Sequence, residues 1–324
     1  EIFDGLHAPF SYATLKRLLA DLKSHHFVIA LGSGKSTTYA VSPTYALLSP
    51  MDIDKYYEEE VDERKIKEHF NLALISEVIK THPVFTEKEL ATLSEWHEEF
   101  QKNKAELSEA AYRQELERLA IDLSWKSSQI EGNTYTLLET ERLLKEKETA
   151  DGKTREEAIM LLNHKEAIDF LVQHKDYLYP LTPAKIEDVH GIITQGLGVD
   201  KNLRKKRISI TGTNYKPLDN EFQIKEALMS ACDLINNKQS VFEKALLALV
   251  LISYIQPFMD GNKRTARIVS NSILMHYNYC PLSYRTVNSL DYKKAMLLFY
   301  EQNNLFHMKR IFMEQVAFAV KSYF

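Results

Sequence analysis

LISYIQPFMDGNKRTARIVSNSIL, residues 251–274, is the stretch from which the fold can be read. Its first residues continue an apolar run, 245–255, that has no polar face, so that helix is expected to lie in the centre of the molecule. Pro257 and the Asp260-Gly261-Asn262 turn break it, and a second helix is expected from Lys263. A helix start offers free backbone N–H groups and a positive dipole end, which suits anions. Gly261 and Asn262 tolerate left-handed backbone and let amides converge on one point. Arg264 and Arg267 fall on adjacent turns of one helix face, where both can reach a polyphosphate. Asp260 stands where a carboxylate could hold a hydrated Mg²⁺ bridging phosphates. Where such a site would need a proton acceptor, the chain has Gln256. Each feature alone fits an ordinary capped turn with surface arginines. Their order on a buried helix points to a phosphate site.

Working outward, the composition sets limits. The chain has 324 residues, enough for one large or two modest domains. Its net charge of −4, with acids and bases interleaved, makes no global demand for nucleic acid or a lipid surface. Two cysteines, Cys232 and Cys280, lie far apart without metal spacing, which suits a reducing cytoplasm. The longest apolar run is too short to span a bilayer. The first residue is Glu1, no signal-peptide pattern follows, and the natural N-terminus is expected upstream. Ten glycines, nine prolines and long helical periodicities predict a mainly α protein.

The N-terminal segment, 1–50, is the most β-like. Residues 11–26 read as a helix with Leu15, Leu18, Leu19 and Leu22 on one face. FVIAL, the turn GSGKS and TTYAVS then read as a β-hairpin. Helix plus basic-tipped hairpin resembles half of a winged helix-turn-helix, with Tyr12, Thr14, Lys16 and Arg17 placed for DNA and Lys35 for a phosphate. A winged helix used only for packing is the competing reading. GSGKS is not a P-loop: the first glycine of that motif would fall on Ile29, and no helix follows. From Asp52 a nearly continuous helical linker is expected to about residue 104, its charged run a solvated face. Farther on, β-branched alternation in RISITGTNYKP, residues 207–217, predicts a short hairpin, which beside a site can hold an extended peptide by main-chain pairing.

QPFMDGNKRTAR resembles the Fic-family signature HxFx(D/E)GNGRxxR. EGNTYTLLETERLL, ITGTNYKP and RTVNSLDYKKAMLLFYEQNN extend the similarity over residues 105–324. The resemblance implies a mainly α, Fic-type helical domain with a small β-hairpin flap, preceded by linker helices and a partial winged helix. It also implies transfer of AMP from ATP to a hydroxyl of a target protein. By position, Asp260 would bind Mg²⁺, Gly261 and Asn262 would form an anion hole beside Lys263, and Arg264 and Arg267 would hold the outer phosphates. Ile208, Ile210, Thr211 and Gly212 would belong to the flap that aligns the target. SSQIEGN, ending a helix expected over 107–132, matches the inhibitory motif (S/T)xxxE(G/N) of class II. There Ser127, Glu131 and Gly132 would form a brake, with Glu131 paired to Arg267.

Two positions depart from the pattern. The family's base histidine is Gln256, whose amide takes no proton near neutral pH, and losing a general base typically removes about 10²–10⁴-fold in rate. His276 lies more than three helical turns on, and His190 reads as packing. The second glycine is Lys263, giving GNKR as in the Doc branch, which transfers phosphate. Three functions follow: an impaired adenylyltransferase using ATP and Mg²⁺, a nucleotide-binding pseudoenzyme, or a transcriptional regulator acting on DNA. A Doc-like phosphotransferase is a fourth, and a homodimer is the analogous assembly. An intact brake on a site without its base leaves open whether activity remains, the site has decayed, or Gln256 is an introduced change.

Overall fold

The computed structural model describes residues 2–5 and 11–324, less the side chains of residues 4, 5 and 35. Its elements in order are α1 (Ile2–Gly5), α2 (Tyr12–Ser24), β1 (Val28–Leu31), β2 (Thr38–Val41), α3 (Tyr45–Leu48) and α4 (Ile53–Tyr56). A π-helical turn at Leu74–Ile79 leads into α5 (Glu87–Glu106), α6 (Glu109–Ile130), α7 (Leu137–Glu146), α8 (Arg155–Gln173) and α9 (Pro183–Thr194). Then come α10 (Glu221–Asn237), α11 (Val241–Ile255), α12 (Asn262–His276), α13 (Ser289–Gln302) and α14 (Phe306–Tyr323). The protein is mainly helical, and its one sheet among the described residues is the antiparallel pair β1–β2, with Val28 opposite Val41 and Leu31 opposite Thr38.

The centre is α11, buried at every position from Val241 to Ile255. Leu246, Leu247, Leu249 and Leu251 are 0% exposed; a fully buried residue of this kind contributes about 1.5–3 kcal/mol. Ser240 caps its start by accepting from Glu243 N. Helix α12 folds back on α11, and α6, α8, α9, α10 and α13 enclose the pair. One core cluster runs from Leu47 to Tyr323, so side chains of the expected linker and of the helical domain share it. The expected boundary near residue 104 falls inside α5, which runs on to Glu106.

Three local expectations are corrected. The linker is not continuous helix: after α4 the chain turns, and residues 57–70 form none. Tyr56 and Arg64 turn inward instead onto Glu301 of α13, and the exposed Lys67 bonds Glu301 O and Gln302 O; those tertiary bonds outweigh the helical propensity of the charged run. Residues 207–217 form no hairpin ladder; they turn at Thr211 and Gly212, and Lys216 makes one isolated bridge with His69. Side-chain anchors (Tyr215 to Tyr254 O, Arg204 to Leu218 O) take the place of cross-strand pairing. On α2, Leu15 is buried but Leu18 is 38% exposed, so the apolar stripe is only partly covered.

Candidate nucleotide site

The turn between α11 and α12 is built by two residues in left-handed backbone. Gln256, φ +51°, ends α11 by donating its N–H to Ile252 O. Gly261, φ +82°, starts α12, and a Cβ there would stand 3.2 Å from Thr194 Cγ2 and 3.3 Å from His190. His190 stacks on Phe258 with ring centroids 3.6 Å apart, and its nitrogens face Asp260 O and Lys201 O. Burial lowers its pKa, with the two carbonyls opposing. This histidine packs the loop, as expected.

The loop borders a cavity of about 360 Å³, lined by Glu131, Gln256, Asp260, Gly261, Asn262, Lys263 and Arg264, and across from them by Ile208, Ile210, Thr211 and Lys293. The fold thus gathers residues 208–211, the signature loop and Glu131 on one opening. Gly212 sits at the adjoining turn, outside the lining. Arg267, Ser127 and Gly132 lie outside the lining. Lys16 and Arg17 are exposed on α2, away from the cavity lining, with Lys16 Nζ 4.9 Å from the Tyr12 ring centroid; the Lys35 side chain lies outside the described residues.

Gln256 is 6% exposed and already engaged. Its Nε2 donates to Ser253 O at 2.7 Å and to Tyr300 Oη at 3.3 Å, and its Oε1 accepts from Asn262 Nδ2 at 3.0 Å. Asn262 in turn bonds both main-chain groups of Phe258. The Asn262 side chain therefore holds the loop's shape, and the backbone N–H groups at the α12 start are the ones that could meet an anion. Arg204, which the sequence reading did not single out, donates to Gln256 O and Lys206 O from a buried site. It stands in a run of solvated lysines and arginine, so no spacing signal distinguishes it.

The charges form one network. Arg267, 0% exposed, donates Nη2 to Glu131 Oε1 at 2.8 Å and to Ser127 O, and Nε to Ser127 Oγ. Burial opposes its charge, but Tyr292 and Glu131 outweigh burial and hold its pKa above the usual value. Lys263 Nζ lies 3.2 Å from the other oxygen, Glu131 Oε2. Burial would raise the Glu131 pKa; Arg267 and Lys263 overcome it and hold the carboxyl at about 2. Arg264 reaches Asp260 at 3.3 Å, while the Asp260 side chain stays 68% exposed. Among the described residues no group of three or more His, Cys, Asp or Glu could hold a metal by itself. A single exposed carboxylate beside a phosphate cradle fits Mg²⁺ bound mainly through phosphate oxygens and water.

His164 of α8 shares a 2.8 Å hydrogen bond with Ser127 Oγ, and its Nδ1 has no partner among the described residues. Burial first, then Arg267 and Arg264, hold its pKa well below 6.5. The unfolded imidazole therefore binds a proton through about pH 6.5 while the folded one does not, so stability is lost as pH falls below that value. The expected loss is up to about 1.4 kcal/mol per pH unit. Glu131 contributes nothing to this slope above pH 5, because its pair is lost only between its unfolded value near 4.5 and about 2. Denaturant unfolding of His164→Gln between pH 7 and 5 should be flatter than that of the unaltered chain; equal slopes would exclude His164 as the source.

A family model described as Fic/DOC family matches residues 180–274. A Fic/DOC domain therefore occupies this part of the chain. The chain is 29% identical over 177 residues to a "Protein adenylyltransferase Fic" of Nematostella vectensis, covering 52% of this chain and 40% of that one. A protein of the same name from Aedes aegypti is 29% identical over 167 residues, covering 47% and 32%. The chain thus spans well under half the length of these relatives. Among solved structures, Fic-1 from C. elegans superposes with TM-score 0.63 at 18% identity, covering 73% and 72%. A Fic domain containing signaling protein from Bacteroides thetaiotaomicron gives 0.58 at 19% identity, covering 71% and 96%. These structures share the Fic fold, which agrees with the fold expected from the motif. Among the described residues no helix is long and apolar enough to cross a membrane.

Proposed function

We propose that the chain is an autoinhibited nucleotidyl-transfer module of class II type, built to move AMP from ATP to a hydroxyl of a target protein and impaired at its base. The pair between Glu131 and Arg267, 136 residues apart, carries the proposal: it places a carboxylate on the arginine that an outer phosphate would need. The names of the relatives supply the reaction class. In that reaction the target oxygen attacks the α-phosphorus, the bond to the pyrophosphate oxygen breaks, and the hydroxyl proton must leave. Arg264 and the α12 amides would take the phosphate charge, Arg267 would join them once Glu131 withdraws, and Asp260 would hold Mg²⁺ on the phosphates. Ile208, Ile210 and Thr211 would align the target. Gln256 cannot receive the proton. Lys263 adds a second cation to the brake, and on release would face the phosphates.

The engagement of Gln256 favours a second function, nucleotide binding without transfer, because both ends of its amide serve the loop. Transfer of label from α-³²P-ATP with Mg²⁺ into lysate proteins separates the two. Glu131→Gly should label proteins weakly and the unaltered chain still less. Label from γ-³²P-ATP alone would instead mark phosphate transfer, and label from neither, with ATP bound, would make the chain a binding module.

A further inference from the structure

Residues 61–68 lie outside the family match yet hold one end of the flap. Asn214 Nδ2 donates to Asp62 Oδ1 at 2.9 Å, and Lys216 N donates to Glu68 O at 2.6 Å. The outer Lys216–Glu68 ion pair is exposed on both sides and adds little. Arg64 differs: its side chain is 3% exposed, it pairs at 3.4 Å with the fully buried Glu301, and its Nη2 donates to Gly212 O at 2.7 Å. Tyr56 Oη closes the other Glu301 oxygen at 2.6 Å, and the guanidinium lies 4.9 Å from the Tyr57 ring centroid. The Arg64 Nε has no partner among the described residues, so the buried guanidinium keeps Glu301 and the Gly212 carbonyl as its polar partners, and losing the carbonyl would leave a second donor unpaired. Gly212, φ +87°, is that turn, and a Cβ there would stand 3.3 Å from Leu297 Cδ1. On the cavity side, residues 208–211 make no main-chain hydrogen bond with other described residues. Arg204 anchors one end of this open edge through Leu218 O and Lys206 O, and Arg64 the other.

We propose that Arg64 is a positioning residue for the target: by fixing the Gly212 turn it sets the register in which an extended polypeptide pairs with the main chain of residues 208–211. This rests on the target-aligning role proposed for the flap. It also makes the segment that joins the N-terminal helix and hairpin to the Fic domain a control point for target capture.

The test uses the full chain carrying Arg64→Ala or Arg64→Lys. Hydrogen exchange of the Tyr215 and Lys216 amides should quicken in Arg64→Ala by about 10- to 100-fold more than that of the α11 amides, the loss of one charge-assisted hydrogen bond beyond any general destabilisation, while ATP affinity stays unchanged. Arg64→Lys, which keeps the charge for Glu301 but cannot also reach Gly212 O, should fold normally and fall between. In a Glu131→Gly/Gln256→His background, Arg64→Ala should raise the lysate concentration for half-maximal labelling by at least about 10-fold with the plateau retained. Unchanged exchange, or a loss confined to the plateau or to ATP binding, would overturn the proposal. A background that labels nothing sinks the transfer function, and the exchange result then decides Arg64 by itself.

Discussion

Gln256→His in a Glu131→Gly background is expected to raise label transfer by about 10²–10⁴-fold over Glu131→Gly alone, the usual range for restoring a positioned general base. The backbone permits the change. Position 256 has φ +51°, and histidine is among the side chains that tolerate left-handed backbone. The side chain already lines the cavity, facing the flap that would present the hydroxyl. The new imidazole would give up the bonds of Gln256 to Ser253 O and Tyr300 Oη. Asn262 keeps both of its bonds to Phe258 and so holds the loop. The cost falls on stability rather than on geometry. The measurement is initial label from α-³²P-ATP at saturating Mg²⁺, with ATP affinity in parallel. Equal rates with equal ATP affinity would show that proton removal is not what limits this site, and Lys263 would become the residue to change.

Glu131→Gly by itself should destabilise the protein and sensitise it to nucleotide. Arg267 is fully buried, and Glu131 is its one carboxylate partner among the described residues. Removing one member of a buried pair typically costs about 3–5 kcal/mol because the other charge remains. Ser127 O, Ser127 Oγ and the Tyr292 ring, 5.3 Å from the guanidinium, temper that loss. An ATP outer phosphate would replace the lost carboxylate, so the variant should regain stability with ATP as RT ln(1 + [L]/Kd), about 2.7 kcal/mol at 100 times Kd. Thermal unfolding with and without ATP·Mg²⁺ reads both effects. A variant as stable as the parent, or one with no larger response to ATP, would remove Glu131 from the role of brake.

Lys263 sharpens this expectation. Each oxygen of Glu131 has its own cation, Arg267 on one side and Lys263 on the other. A glycine at 263, as in the family pattern, would leave only the arginine. With burial outweighed by Arg267 and Lys263, which hold the carboxyl at about 2, the Glu131–Arg267 pair stays charged at any ordinary pH, so acid would not open the brake proposed for it. On that proposal, release would come from a competing anion or from movement of the α6 end, which Gly132 at φ +102° follows.

The sequence by itself determined what depends on neighbours along the chain. An apolar run with no polar face had to become the buried α11, the Asp260-Gly261-Asn262 turn had to end in a new helix, and Ser127 and Glu131 had to fall one turn apart near the end of α6. Those are consequences of helical period and of glycine's freedom, and the family signature rides on them. Tertiary structure alone decided the rest. Lys263 meets Glu131 across 132 residues, Arg64 meets Gly212 across 148, and His164 meets Ser127 across 37. Helical propensity in 57–70 and β-branched alternation in 207–217 were both overridden, because Glu301 and Tyr254 offered buried partners worth more than local preference. Local rules see a side chain's period; which charge it must neutralise is known only when the chain has closed around it.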